Sequence, residues 1–472
     1  MRLKKNIIIA AVSIAVCIAL LVAVKFIPNV NIEETGNNED EWTQKEDTSV
    51  VLVNYESGSY VNSKIIVECA DSPYTLAKTV KEDGTVQYII ESHPTVEVIP
   101  ESVNALANNF SYVVMADTIE ENPSDLALYG LDNPQGKYTL VNENGSSKTV
   151  LIGNKIGTMY YSMLEGDPKV YTIYGAYGDA VLGGINGLRE TNLVNIQSGK
   201  IGEQLKVFRI DDRNGCLLNI RLATESDRIS SSSSKFLMTE PYNMPVYSSK
   251  LIELLPSFTP VNVSSFVEDN PTDLSKYGLD NPQYTLTLED NEDNTYVIYF
   301  GNLSADGRRV YCMMKGKNFV FDMLKNKLDA FAAVDPYVLC ERYAHLISIN
   351  DISSVQVISA DGSKNYTMTV DKNTQELFFL NGKPAEDDSF REAYRYITGI
   401  SFSADAGDGV AKTTEALRIV FNFDDGTSYT AVYYEYDDRN YVLDRNGENS
   451  NFLVAKKSVT EMYGKLDKVK TY

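Results

Sequence analysis

The stretch NPSDLALYGLDNPQ, residues 122–135, returns as NPTDLSKYGLDNPQ at residues 270–283. Eleven of the fourteen positions are identical, and the copies stand 148 residues apart. Each copy reads as a short helix with both ends specified. Asn122 can cap the start with its side-chain oxygen. Pro123 fits the first turn, where its missing N–H is not needed, and Asp125 faces the positive helix end. Gly130 supplies the left-handed residue after the last turn, and Leu131 folds back towards Leu126 in a Schellman motif. In the second copy these roles fall to Gly278, Leu279 and Leu274. Asp132-Asn133-Pro134 and Asp280-Asn281-Pro282 then stop the helix and turn the chain into a strand. Capping allows Tyr129, Tyr277, Asp132 and Asp280 but does not demand them. Those four positions are open to an interaction role.

The offset extends beyond the phrase. Val103, Leu106, Ala107 and Phe110 have the i, i+3, i+4, i+7 spacing of a helix face, and Leu251, Leu254, Leu255 and Phe258 repeat it. Gly153-Asn154 and Gly301-Asn302, each after a strand-like run, are again 148 apart. A third pass is visible in Phe390, Ala393, Tyr394 and Ile397, although the linker AGDGVAKTTE stands there in place of the phrase. Three short runs rich in Val, Ile, Tyr and Phe precede each helix, and about four follow it, separated by Asp-Gly, Asn-Gly or Ser-rich turns. Hairpin-length connections favour antiparallel pairing. The expected fold class is α+β: three tandem units, at 50–198, 199–347 and a degenerate 348–472, each a mostly antiparallel sheet with helices on one face.

Upstream, MRLKK leads into IIIAAVSIAVCIALLVAV, residues 7–24, which carries no charge. A helix of that length nearly crosses a hydrocarbon core of ~30 Å. With basic residues before it and Glu33, Glu34, Glu39, Asp40 and Glu41 after it, residues 1–28 read as a cytoplasmic tip and transmembrane anchor. The core is too long for a cleaved signal peptide, and Cys17 sits mid-span after Val16, which disfavours a lipoprotein. Residues 29–49 are polar and acidic and read as a flexible stalk holding the single Trp, Trp42. The 472-residue chain carries a net charge of −22, which repels phosphate backbones, so no nucleic-acid partner is expected.

Tandem units carrying DLALYGLDNP and DLSKYGLDNP, each preceded by a helix and followed by a strand ending in IGN or FGN, resemble the bacterial domain-of-unknown-function family 4340. The resemblance covers about 50–345 and, more weakly, the third unit. It implies an extracytoplasmic protein behind one N-terminal span. Some members are similar to proteins encoded beside gliding-type ABC transporter components, which implies an accessory role at the envelope. It implies no reaction, because the family has no established catalytic residues to carry over.

Little in the remaining sequence points to catalysis or a cofactor. His93 and His345 belong to no ligand cluster, and neither a G-x-S-x-G elbow nor an S-x-x-K motif occurs. The acidic turns near Asp290–Asn294 and Asp444–Glu448 lack the EF-hand Gly and Glu and read as hairpins. Gly153 and Gly301 lie in a strand-turn-strand setting, which suits tight turns or bulges rather than a phosphate loop. Cys69 and Cys216 are expected as buried thiols; a Cys312–Cys340 bridge is left open. Tyrosines cluster at Tyr160, Tyr161, Tyr171, Tyr174 and Tyr177, and at Tyr429, Tyr433, Tyr434, Tyr436 and Tyr441. In strands they serve as half-buried residues, or they stack on sugars or anchor a partner. No catalytic, cofactor or metal residue is assigned. The residues carrying the repeat are Tyr129, Gly130, Leu131, Asp132 and Pro134, with Tyr277, Gly278, Leu279, Asp280 and Pro282. The expected role is a non-enzymatic scaffold that meets the membrane through its helix and an envelope or transporter protein through its outer units. A glycan-binding surface module and an envelope hydrolase are the alternatives.

Overall fold

Alternation of apolar and polar residues turns one face of each strand inward. In the second sheet Leu205, Phe208 and Ile210 face a core while the residues between them are half-buried. The computed structural model describes residues 51–54, 62–70, 72–224, 227, 234–373, 377–407, 409–446 and 451–472. The apolar run at 7–24, the acidic stalk and Trp42 lie outside these residues. Among the described residues no helix is long and apolar enough to cross a membrane.

The first sheet comprises β1 (Val51–Asn54), β2 (Asn62–Cys69), β3 (Tyr74–Val80), β4 (Val86–Ile90) and β5 (Tyr112–Glu120). It continues with β6 (Gly136–Asn142), β7 (Ser147–Ile156), β8 (Met159–Leu164) and β9 (Val170–Tyr174). Their order is β1-β5-β9-β8-β7-β6-β2-β3-β4. Next come β10 (Asn192–Val194), β11 (Leu205–Asp212), β12 (Gly215–Leu222), β13 (Phe236–Glu240), β14 (Met244–Pro245) and β15 (Val261–Asn262). Then follow β16 (Ser265–Asp269), β17 (Tyr284–Asp290), β18 (Thr295–Leu303), β19 (Arg309–Met314) and β20 (Phe319–Leu324). The second sheet has the order β16-β20-β19-β18-β17-β11-β12-β13-β14, and β10 pairs with β15 beside it. The last strands are β21 (Ile352–Ser359), β22 (Asn365–Asp371), β23 (Leu377–Leu380), β24 (Lys383–Pro384) and β25 (Phe402–Asp405). They end with β26 (Glu415–Phe423), β27 (Ser428–Glu435), β28 (Asn440–Arg445) and β29 (Phe452–Ala455). The third sheet runs β25-β29-β28-β27-β26-β21-β22-β23-β24. All three sheets are antiparallel, so the fold is α+β.

The amphipathic spacing decides where the helices lie. Pro100–Ser111 buries Val103, Leu106, Ala107 and Phe110. Asp387–Thr398 buries Phe390, Ala393, Tyr394 and Ile397. Between them in sequence, Ser248–Leu254 runs into a 3-10 turn at Leu255–Ser257. A further helix closes each unit, at Gly175–Leu182, Lys325–Ala332 and Lys456–Leu466. The first sheet has its own core, from Ile65 to Leu188. One continuous core serves the second and third sheets, and Val194 and Ile196 of the intervening chain already belong to it.

Candidate functional site

The phrase lies on the sheet face that the helices leave bare. On β7 Val150 and Ile152 join the helix-side core, whereas Leu151 between them packs with Leu131, Met163 and Val170. The second sheet repeats this: Val310 and Cys312 point to the main core, and Tyr311 and Met313 meet Tyr277, Leu279 and Val320. Side chains alternate across a strand, so each phrase covers a small second core.

The end of the phrase forms a Schellman turn. Gly130 sits at φ 67° and Gly278 at φ 66°. The Leu131 amide donates to the Leu126 carbonyl and the Gly130 amide to that of Ala127, both at 3.1 Å. In the second copy Leu279 donates to Leu274 at 3.1 Å and Gly278 to Ser275 at 2.9 Å. The start differs from the expectation. The helical part is only a 3-10 turn, Leu126–Tyr129, and its cap is Asp125, whose carboxylate accepts the Ala127 amide at 2.9 Å. Asn122 lies one turn too early to reach those amides. Asp273 likewise accepts from the Ser275 amide at 2.9 Å.

The repeated Gly-Asn pair explains itself here. A Cβ on Gly153 would stand 2.3 Å from the Tyr129 carbonyl oxygen, and one on Gly301 would stand 2.1 Å from that of Tyr277. Reciprocally, a Cβ on Gly130 would meet the Asn154 side chain at 2.4 Å, and one on Gly278 that of Asn302 at 2.5 Å. Each phrase and its Gly-Asn pair therefore form one clip, with a glycine on either side of the closest approach. Both halves are missing from the third sheet. There the linker is held by Asn451, which donates to the Gly407 carbonyl at 2.6 Å, and by the Lys412–Asp444 pair at 3.2 Å.

The tyrosines of the phrase are spent on the fold. Tyr129 donates to Glu120 at 2.6 Å and meets Tyr161 edge-on, centroids 5.0 Å apart. Tyr277 donates to Glu268 at 2.5 Å and meets Tyr311 at the same spacing. The bond to Glu120 raises the Tyr129 pKa; burial and then Glu268 raise that of Tyr277. Both phenols thus stay protonated at neutral pH, which suits an anchor and not a nucleophile or base. Glu268 is held below its ordinary pKa, first by Lys276 and then by Tyr277. Lys276 stands where the first copy has Leu128, which is 69% exposed. Glu120 and Glu268 are also 148 residues apart, so their partnership was legible two residues upstream of the phrase. Asp132 and Asp280 are exposed and take no part in either cluster; Pro134 and Pro282 are half-buried at the turn into the next strand.

The other sequence candidates scatter. Tyr160, Tyr171, Tyr429 and Tyr433 are buried in the cores, while Tyr174 and Tyr436 are exposed. Asp290 closes the hairpin between β17 and β18, accepting from the amides of Glu292 and Asn294, both at 2.9 Å. Residues 447–450 of the other acidic turn lie outside the described residues. Among the described residues the four cysteines, Cys69, Cys216, Cys312 and Cys340, are free thiols. Cys312 and Cys340 are buried, and burial raises both thiols above their ordinary pKa. Cys69 and Cys216, expected to be buried, are half-buried instead, because they sit next to strand ends where the sheet opens to solvent. His93 is exposed, whereas His345 is fully buried, with its Nε2 hydrogen-bonded to the Tyr433 hydroxyl. Among the described residues no three His, Cys, Asp or Glu side chains converge as metal ligands.

Comparison with known proteins bears on this architecture through the family alone. No curated protein and no solved structure matches the chain. The family model described as Domain of unknown function (DUF4340) matches residues 90–235 and again residues 237–393. Each matched segment contains the helix before the phrase, one complete phrase with its Gly-Asn pair, the helix that closes the sheet, and the opening strands of the following sheet. With two tandem matches over more than half of its length, the chain belongs to the DUF4340 family.

Proposed function

We propose that this chain is a membrane-anchored, outward-facing interaction or scaffold protein without catalytic activity, built from three tandem copies of one α+β unit. Its partner on this reading is an envelope protein, with components of a gliding-type ABC transporter as the first to test. The observation that carries the reading is the use of the phrase. The residues most faithfully repeated, including both tyrosines, serve the clip and not a pocket. The charge-free run at 7–24 supports the anchor. Shared strand order in the three sheets supports the repeat, with the degenerate third copy fastened by different side chains. Crosslinking of the full chain in intact cells tests the proposal. Adducts with integral transporter subunits support it; adducts confined to cell-wall material refute it.

A glycan-binding role has one observation in its favour. A groove of about 540 Å³ lies between the helices Pro100–Ser111 and Gly175–Leu182, edged by exposed Tyr174 with Tyr177, Asn109 and Ser102. A tyrosine face beside amide and hydroxyl groups suits a sugar ring. Retention of the full chain on peptidoglycan that Tyr174→Ala abolishes would favour this reading over the scaffold.

A further inference from the structure

The second and third sheets each present the same socket at their leading edge. In the second, Phe266 and Phe319 stand with centroids 5.2 Å apart, and Asp269 lies opposite Phe319 in the ladder. In the third, Phe402 and Phe452 are 4.5 Å apart, and Asp405 lies opposite Phe452. Each socket is filled by a side chain from the preceding part of the molecule. Arg189 fills the first: its guanidinium carbon is 3.6 Å from the Phe266 centroid and 4.8 Å from that of Phe319. It forks onto Asp269 with bonds of 2.7 and 3.0 Å, and one nitrogen also reaches Asn186 at 3.4 Å. The Arg189 side chain is 1% exposed. Tyr242 fills the second socket, donating to Asp405 and packing on Phe452 at 4.8 Å, with Tyr337 at 5.5 Å. The first sheet has no such socket. Glu120 faces Val170 as Glu268 faces Val320, so Glu121 and Lys169 occupy the positions of Asp269 and Phe319, and they pair with each other at 3.2 Å.

The two filled junctions rest on different foundations. Behind Tyr242 the second and third sheets share one core. Behind Arg189 the core of the first sheet ends at Leu188, and the next core begins with Leu193 and Val194. Only Arg189, Glu190, Thr191 and Asn192 lie between them. Other side-chain contacts across this junction are exposed: Asn270 to Thr95 at 2.8 Å and Lys317 to Glu97 at 2.6 Å. A bidentate, ring-stacked guanidinium is directional as well as attractive, and burial shields it from salt. Thr191 and Asn192 are already fixed to the second body, since the Thr191 carbonyl accepts the Val263 amide at 2.8 Å and Asn192 pairs with Asn262. We propose that Arg189 and Glu190 form a hinge and that the Arg189 clasp on Asp269, Phe266 and Phe319 is its latch. Closed, the latch fixes the first sheet and its helices against the rigid pair that follows. Open, it frees the first sheet while both cores stay folded.

Single-molecule energy transfer in the full chain tests this, with probes attached through non-native amino acids at the exposed positions Glu82 and Asp361. A second probe pair at Asn214 and Asp361 reports within the rigid pair. The wild-type distribution is expected to be narrow for both pairs. In Arg189→Gln and in Asp269→Asn the Glu82–Asp361 distribution should broaden and the Asn214–Asp361 distribution should not. Arg189→Lys keeps the charge but loses the fork, and should fall between. Amide exchange at Ile65 and Phe208, one in each core, is expected to stay as slow as in the wild type. A distribution that stays narrow in Arg189→Gln, or that is already broad in the wild type, overturns the latch. Loss of amide protection in the variants would make Arg189 part of the fold itself and overturn it equally.

Discussion

The two copies of the phrase fold alike and live in different surroundings. Both end in a left-handed glycine, both hang a tyrosine on the glutamate at the end of the strand before the phrase, and both fit a Gly-Asn pair. Around the first copy Glu121 and Asn122 are exposed and Leu128 points to solvent. Around the second, Asp269 and Asn270 are partly covered by the preceding sheet, and Lys276 pairs with Glu268 at 2.5 Å. What the copies share is therefore local folding chemistry. What differs is the edge that a neighbour uses. Most of the shared residues thus serve the clip, whereas the junction uses Asp269, which replaces Glu121, together with the shared Asn270.

The largest expected effect comes from closing the glycine gap. Gly301→Ala should cost about 3 kcal/mol, since the new methyl meets backbone and cannot be moved aside by a rotamer change. Gly153→Ala should cost about as much. Urea denaturation of the two variants checks this, and a large loss in one with none in the other would break the equivalence of the copies.

The phrase-free third sheet extends the comparison to acid. His345 is buried on the chain that joins the second sheet to the third, among Phe421, Tyr429 and Tyr433. Burial, and then the Arg445 charge, depress its pKa to about 3. The unfolded chain, with an ordinary imidazole near 6.5, therefore takes up the proton first. Stability present above about pH 6.5 is lost as pH falls towards 3, by about 1.4 kcal/mol per pH unit. Melting between pH 7 and pH 5 should show this slope in the wild type and a flatter one in His345→Gln.

Smaller still is Gly130→Ala, for which a left-handed alanine costs about 1–2 kcal/mol. Asn154 must also shift, so the loss should lie at the upper end. Least of all should be the transplant Ser124→Thr, Ala127→Ser and Leu128→Lys, which writes the second phrase into the first site. If the shared residues carry the fold, its stability should stay within about 0.5 kcal/mol of the wild type.

Much of this was legible in the sequence because it is local. Periodicity gave the helix faces at Val103–Phe110 and Phe390–Ile397, and the glycine and leucine of the phrase gave the Schellman turn. The 148-residue register gave the repeat. The cap is Asp125 and not Asn122, because the sequence does not show how short the turn is, and a 3-10 turn starting at Leu126 brings Asp125 into reach. The irregularity expected at Gly153 and Gly301 is present, between Ile152 and Lys155 and between Phe300 and Leu303, but the close approach of Tyr129 was hidden, since only the fold brings it to Gly153. Arg189 gave no signal at all. Its partners in the latch, Asp269, Phe266 and Phe319, lie about 80 or more residues downstream, and such tertiary contacts leave no short motif.

The central claim is that each phrase is held by its own Gly-Asn pair and by nothing in the other copy. Hydrogen exchange at the Leu131 and Leu279 amides, compared between the wild type and Gly153→Ala, tests it most directly. Both amides close the Schellman turns. The account predicts that Gly153→Ala speeds exchange at Leu131 and leaves Leu279 unchanged. Unchanged exchange at Leu131 would show that the clip does not hold the phrase, and the account would fail.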